Sequence, residues 1–590
     1  MTFADWFFKE ASPVFGDKDL GEYVPDGGSA PAEEMQRRCV TTIGRRKHGG
    51  ERGARLRTRE AGEDDEEEGS GGRRRYTTSL GGSATAPPIR LAIGGGGPAG
   101  FFAASRLFSL DQQKLPGLTL PRPLTIHLFE ALPTPYGLSR YGVAPDHPEV
   151  KNCETKFAQV AEHPNFQYFG NTTVLGDGQD EPSWGRASVR LRTLREEYDA
   201  VLLAYGASRD RSLGGIPGED TLENILPARA AVEWYNGYPG TWAAETGPRF
   251  VDLSTVERVT IVGMGNVALD MARILLTDVD VLARTDMSER ALAELARSRV
   301  RHVDIVGRRG PLQAAFTTRE LRELVSLKHV DMRFPTDLLA DAATRLAEPG
   351  ALARMANGRL RKRLLEVMLK AAERPSLPLG SRTCTLSFLR TPVAFHGRTP
   401  PAADTPTRVS EVEWRLNSLD YPSDPLEPVD YSAAKALPIQ PPLHHSTSTD
   451  LVLKSLGYQP ILIPPLTYDS QRSRARNTEG RVIGPDSEVV PGLYVTGWLS
   501  RGPRGVIGDT MSEAHATAEV ILSDLCASPP RSSLRQHHHH PPSLVGGQFR
   551  FDWPMWAELD RLEIARGRAA SKPRVKTSSI LEMLQSARLL

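Results

Sequence analysis

The stretch RLAIGGGGPAGFFAASRLFSL, residues 90–110, decides the fold. It opens as a short apolar strand, turns through glycines and continues with apolar residues at helical spacing. LTIHLFE (124–130) follows as a second buried-type strand that ends in an acid. Strand, turn, helix, strand is a βαβ unit, and Gly95, Gly97 and Gly100 stand in its turn as GxGxxG. Each glycine has a steric task. The first permits the tight turn, the second lets a pyrophosphate approach the backbone, and the third lets helix and strand pack closely. Phosphate charge then lies at the helix N-terminus, and Glu130 is placed to accept hydrogen bonds from ribose hydroxyls.

A second unit follows: RVTIVGMGNVALDMARILL (258–276), a helical stretch, then the strand VDIVGRR (303–309). Its fingerprint is Gly263, Gly265 and Ala268, but its second strand ends in Arg308 and Arg309 where the first unit has an acid. A carboxylate there suits a free ribose 2′-hydroxyl. Two guanidiniums instead offer forked, charge-assisted hydrogen bonds to a 2′-phosphate, so this site should prefer NADP to NAD. A dinucleotide site with a ribose-binding acid beside an NADP-type site points to a flavoprotein that accepts hydride from NADPH. Because flavin holds one electron or two, an iron–sulfur or a haem carrier could be the acceptor. The chemistry alone leaves that choice open.

Working outward, 590 residues allow several domains or two large ones with tails, and 39% hydrophobic against 25% charged residues is ordinary globular composition. Lys plus Arg (73) against Asp plus Glu (72) leaves +1, so no overall field marks a nucleic-acid binder and any charged partner site must be local. No run approaches the roughly 18 apolar residues of a membrane span, which leaves at most peripheral association. Cys39, Cys153, Cys384 and Cys526 are far apart and supply neither a CxxC redox pair nor a metal-ligand spacing.

Residues 1–88 read as a disordered leader of charge blocks and glycine clusters. The first 34 residues are too acidic for an import signal, while 35–59, from Met35, are basic and come closer. Residues 393–449 are rich in Pro, Ser, Thr and Asp around strand-like pieces, as in an excursion or β-ribbon with loops. Folded texture returns at TDLVLKSLGYQP (449–460). The run His537–His540 lies in a Pro/Ser-rich stretch and reads as solvated rather than metal-binding.

Four longer stretches, PYGLSRYGVAPDHPEVKN (135–152), VTIVGMGNVALDMARILL (259–276), VDIVGRRGPLQAAFTTRELREL (303–324) and GLYVTGWLSRGPRGVIG (492–508), resemble the adrenodoxin reductase-type NADPH:ferredoxin oxidoreductases. The resemblance covers residues 89 to about 528, with a further match at 553–585. It implies FAD contacts at Ala99, Glu130, Leu138, Val174, Trp498 and Gly505, Val506 and Ile507. It implies NADP contacts at Met264, Gly265, Asn266, Val267, Arg308, Arg309 and Glu320, with Gly505 near both cofactors. His147 and Glu323 match a pair near the flavin implicated in proton handling and nicotinamide positioning; physically, a carboxylate can orient an imidazole and share its proton. In RLRKRL (359–364), Arg359 and Arg363 lie at i,i+4 on one helical face. With Arg322 they resemble the family's docking patch for an acidic, adrenodoxin-like 2Fe–2S ferredoxin. Ser500 and Arg504 depart from the Lys and Thr common in the family, and neither the leader nor 393–449 has a clear counterpart.

The expected architecture is therefore α/β, with two Rossmann-like dinucleotide-binding domains, the NADP domain inserted in a discontinuous FAD domain: 89–206 and 450–590 for FAD, 207–449 for NADP. A thioredoxin reductase-like enzyme would need a CxxC. A small-subunit glutamate synthase flavoprotein would need N-terminal cluster ligands, and Cys39 alone cannot supply them. A non-catalytic FAD/NADP redox sensor is the reading from another class, and the intact glycines, Glu130 and arginine pair oppose it. The resemblance also implies a mitochondrial location, in the matrix or peripheral to the inner membrane.

Overall fold

The strand Ile89–Gly94 is apolar except at Arg90 and buried along nearly its whole length, as a parallel strand covered on both faces must be. The computed structural model describes residues 88–114, 119–180, 186–239, 250–397, 407–421, 429–527 and 550–588. The leader through residue 87, with Met35 and Cys39, and the run His537–His540 lie outside the described residues.

Around Ile89–Gly94 runs a seven-stranded sheet. On one side lie Leu124–Phe129 and then Phe166–Phe169, on the other Ala200–Leu203 and Val489–Val495, all parallel. Arg481–Ile483 and Asn477–Thr478 complete the edge antiparallel. The helix Pro98–Gln113 begins with proline at its first position, where the fixed φ suits the helix and the missing N–H costs nothing. It buries Phe101, Phe102 and Leu107 and packs against the long helix Ile507–Ala527.

The second sheet has six parallel strands in the spatial order Val330–Arg333, Arg382–Ser387, His302–Val306, Arg258–Val262, Leu451–Lys454 and Ile225–Pro227. Every one of them lies between the fourth and last parallel strands of the first sheet in sequence. The architecture is thus the expected α/β one, with the second unit inserted in the first. Leu451–Lys454 extends the insert beyond the boundary expected at 449/450. Its run of buried apolar residues fits either sheet, and only its pairing with Arg258–Val262 and Ile225–Pro227 assigns it. Arg209–Asp210, leaving the first half, pairs antiparallel with Tyr458–Gln459, returning to it.

The excursion forms a four-stranded antiparallel sheet of Arg390–Gly397, Val409–Asp420, Lys435–Pro438 and His444–Ser448. Near the C-terminus, Glu563 of the helix Trp553–Ala569 is fully buried and takes Nη2 of Arg140 on both oxygens at 2.7 Å. The segment that follows reaches across to the insert. Lys572 Nζ donates to Met287 O at 2.9 Å and pairs with Glu289 at 2.5 Å, and Lys576 pairs with Asp286 at 3.0 Å.

Candidate functional site

The two glycine turns are built alike. A Cβ at Gly95, where φ is +120°, would lie 2.6 Å from the backbone of Ala204; at Gly263, where φ is +133°, it would lie 2.0 Å from the carbonyl of Ser455. In each unit the first glycine abuts the chain just beyond the neighbouring parallel strand, so a side chain there is excluded twice, by space and by backbone conformation. The middle glycines differ. A Cβ at Gly97 would meet nothing closer than Gly137 Cα at 4.0 Å, and one at Gly265 would meet nothing within 4 Å. Gly97 and Gly265 are the N-caps of their helices and carry no side-chain cap. The open space and the unsatisfied helix N–H groups make cradles suited to a pyrophosphate. Gly100 is closed again, with a Cβ 2.2 Å from Gly95 O, whereas Ala268 fits its counterpart position fully buried.

Glu130 accepts from Gly96 N at 2.6 Å and Leu132 N at 3.0 Å. Burial pushes its carboxyl above the usual range, against backbone N–H groups that pull it down. A carboxylate has about four acceptor positions, so capacity remains for ribose hydroxyls. Gly97 and Gly137 lie back to back, which brings Leu138 to the turn, and a Cβ at Gly497 would lie 2.7 Å from Ala99, which brings Trp498 there. Trp498 stacks on Tyr458 with centroids 5.7 Å apart. Leu138 is 43% exposed and Val506 54%, so both present apolar surface at the mouth of the turn. Gly505 (φ +82°), Val506 and Ile507 form the entry to the long helix, with Asp509 accepting from Val506 N at 2.9 Å. Val174 is on the far side of the strand end, 3.3 Å from where a Gly94 Cβ would stand.

In the second unit, Met264 O accepts from Ala315 N at 2.9 Å and Asn266 Oδ1 from Thr317 N at 2.8 Å, tying the turn to the loop after the arginine pair. Val267 packs against the insert's core. Arg308 is exposed and Arg309 half-buried. Burial first, then the charges of Arg308 and Arg361, holds the Arg309 guanidinium below its usual value. Glu320, on the next helix, has a buried oxygen, Oε2, with no hydrogen-bond partner, and burial raises its carboxyl.

His147 belongs to the first half and Glu323 to the insert, and their side chains meet, Nε2 to Oε2, at 2.6 Å. Arg273, almost fully buried, bonds Asp146 at 2.6 and 3.0 Å and Asp270 at 2.8 Å, and lies 3.5 Å from Glu323. Burial acts against the charged form of Asp146, but Arg273 outweighs it and holds the carboxyl below its usual range. Sequence reasoning found the His–Glu pair but missed Arg273, Asp146 and Asp270. Asp146 stands beside His147, yet a lone Asp and a helical Arg distant in sequence carry no signal until the fold joins them. Arg322, Arg359 and Arg363 are exposed on the helices Thr318–Val325 and Gly358–Ala372, which pack together. Among the described residues no cluster of His, Cys, Asp and Glu could hold a metal ion.

No protein-family model matches the chain. It is 39% identical over 502 residues to NADPH:adrenodoxin oxidoreductase, mitochondrial, of Drosophila melanogaster, covering 84% of this chain and 93% of that one. It is 37% identical to the NADPH-ferredoxin reductase FprA of Mycobacterium tuberculosis, covering 84% and 98%. The chain belongs to the adrenodoxin reductase-type NADPH:ferredoxin oxidoreductases. Among solved structures of this family, Mycobacterium tuberculosis FprA in complex with NADPH superposes with a TM-score of 0.70 at 36% identity, covering 85% of this chain and all of the other. Against the family's sequence pattern, Ser500 is buried and hydrogen-bonds Asn477 at 3.2 Å, whereas Arg504 is exposed in the turn before Gly505.

Proposed function

We propose that this oxidoreductase transfers electrons from NADPH through FAD to a 2Fe–2S ferredoxin of the adrenodoxin kind. The observation that carries this is the pair of open glycine cradles, one backed by Glu130 and the other by unneutralised arginines, joined at His147–Glu323. FAD would be held by Gly95, Gly97, Ala99, Gly100, Glu130, Leu138, Val174, Trp498 and Gly505–Ile507. NADPH would be held by Gly263–Ala268, Arg308, Arg309 and Glu320. Bound FAD supplies the ability to take two electrons as hydride and release them singly.

The chain's own contribution is mainly alignment, because hydride transfer needs close, oriented partners. Arg308 and Arg309 fix the adenosine end of NADPH by its 2′-phosphate, and the helix N-terminus at Gly265 takes the pyrophosphate. Glu323 orients His147 through one oxygen, with Arg273 3.5 Å from that oxygen, while Arg319 Nε holds the other at 3.0 Å. Arg322, Arg359 and Arg363 orient the acidic ferredoxin. The relatives include mitochondrial and bacterial proteins. The reading for this chain is the mitochondrial matrix or the inner-membrane surface; no described helix is long and apolar enough to cross a membrane.

Rapid-mixing spectra test the reading. The purified chain should be yellow, bleach on mixing with NADPH and recover its colour on adding an oxidised 2Fe–2S ferredoxin; a colourless protein that cannot be reconstituted with FAD refutes it. Replacing Arg308 and Arg309 together by Gln should cut the preference for NADPH over NADH by about 100-fold, two charge-assisted contacts being lost. An unchanged ratio removes these residues from the site.

A further inference from the structure

We infer that Arg361 is a third specificity-determining residue of the NADPH site, holding the 2′-phosphate together with Arg308 and Arg309. The inference rests on the assignment of that site and extends it to a residue whose sequence neighbours belong to another surface.

Arg361 lies in RLRKRL between Arg359 and Arg363, but residues two apart on a helix do not share a face. Arg359 and Arg363 are exposed, while Arg361 is half-buried on the opposite side. There it is tethered by two backbone carbonyls. Nε donates to Ala356 O at 2.9 Å, and Nη1 donates to Leu312 O, three residues beyond Arg309. Those bonds use two of the five guanidinium N–H groups, so a donor edge remains.

The surroundings are short of negative charge. Among the described residues, none of Arg308, Arg309 and Arg361 forms an ion pair. Asp430 acts on Arg361 without reaching ion-pair distance, and its carboxylate already accepts from Ser432 N at 2.8 Å and Ser432 Oγ at 2.6 Å. Burial and the charges of Arg308 and Arg361 both disfavour the charged form of Arg309. Arg309 thus stands beside two other guanidiniums that repel it, and no described carboxylate reaches ion-pair distance of any of the three. A dianion in their midst reverses the sign of that energy, and the 2′-phosphate is the dianion NADPH brings and NADH lacks.

The loop is also braced for the task. Asn417, buried on the strand Val409–Asp420, donates to Arg308 O at 3.0 Å and to Thr391 Oγ1 at 2.8 Å, and Leu389 N donates to Arg309 O at 3.2 Å. Gln313 donates to Tyr431 O at 2.6 Å and accepts from Gly310 N at 3.0 Å.

The test is calorimetric titration of the FAD-loaded full chain with adenosine 2′,5′-bisphosphate and with adenosine 5′-monophosphate, beside the NADPH/NADH ratio of kcat/KM. Arg361→Gln should weaken the bisphosphate about tenfold, lower the ratio similarly and leave the monophosphate unchanged. Equal weakening of both nucleotides, or of neither, overturns the inference. If the Gln variant is poorly folded, Arg361→Lys, which keeps the charge, decides. Retained discrimination supports the assignment, and a loss of bisphosphate binding as large as that of the Arg308 and Arg309 double variant overturns the role of charge. Discrimination that survives in the double variant instead refutes the parent site, so the two failures are distinguishable.

Discussion

Gly263 and Gly265 stand two residues apart and answer to different demands. Ala at 263 places a methyl group 2.0 Å from Ser455 O at a φ of +133°, so Gly263→Ala should cost on the order of 2–4 kcal/mol of stability, visible as a lower thermal midpoint. Ala at 265 meets nothing within 4 Å. Gly265→Ala should melt like the parent yet bind NADPH at least tenfold more weakly, since the methyl occupies the space meant for phosphate; an unaffected NADPH titration would clear that turn of any phosphate role. Both demands were legible in the sequence, because the spacing of glycines between strand and helix states a steric requirement directly. Glu130 and the arginine pair were legible for a similar reason, as residues just beyond the ends of their strands. Arg273 was not: its pairing with Asp270 is an ordinary i,i+3 contact on one helix, and Asp146 and Glu323 lie on two other segments that no periodicity connects to it.

The helix Gly358–Ala372 shows what a run of like charge conceals. RLRKRL reads as one basic patch, yet the helical turn divides it, sending Arg359 and Arg363 to solvent and Arg361 toward the arginine pair. Arg359→Gln with Arg363→Gln should therefore slow electron delivery to an acidic ferredoxin about tenfold at low salt and flatten its salt dependence. NADPH-driven reduction of ferricyanide, which needs no protein docking, should keep its rate; a ferredoxin rate equal to the parent's at low salt would release this helix from docking. The four-stranded sheet was legible only as texture. The strand Val409–Asp420 buries Val409, Val412, Trp414 and Asn417 without strict alternation, and the hold on the backbone of Arg308 and Arg309 depends on Asn417 and Leu389, whose contacts arise only when the excursion folds back.

The two halves of the molecule are held together by charge as well as by chain. Lys151 and Lys576 share the single carboxylate of Asp286, at 2.6 and 3.0 Å. Both lysines hold Asp286 far below its usual range in spite of burial. Burial, with Lys151 and Arg140 adding repulsion, lowers Lys576 from 10.5 to about 7 although Asp286 opposes the shift. Between about pH 7 and 10 the unfolded chain then binds a proton at Lys576 that the folded chain has released, so this residue makes stability rise with pH across that window. Measured by denaturant midpoints, the parent should gain on Lys576→Met from pH 7 to 10; a constant difference would mean that Lys576 stays charged when folded. The order of the two sheets was readable from the two fingerprints, but Leu451–Lys454 was not assignable, since an apolar strand covered on both faces suits either sheet. The pairing of Arg209–Asp210 with Tyr458–Gln459 brings the outgoing and returning chains through a single doorway. Six strands and an entire coenzyme cradle thus enter and leave by one stem, and a gene cut at both sides of that stem would yield, once the ion pairs to the rest are replaced, a module whose ends already meet, ready to be spliced by a short bridge or exchanged for another.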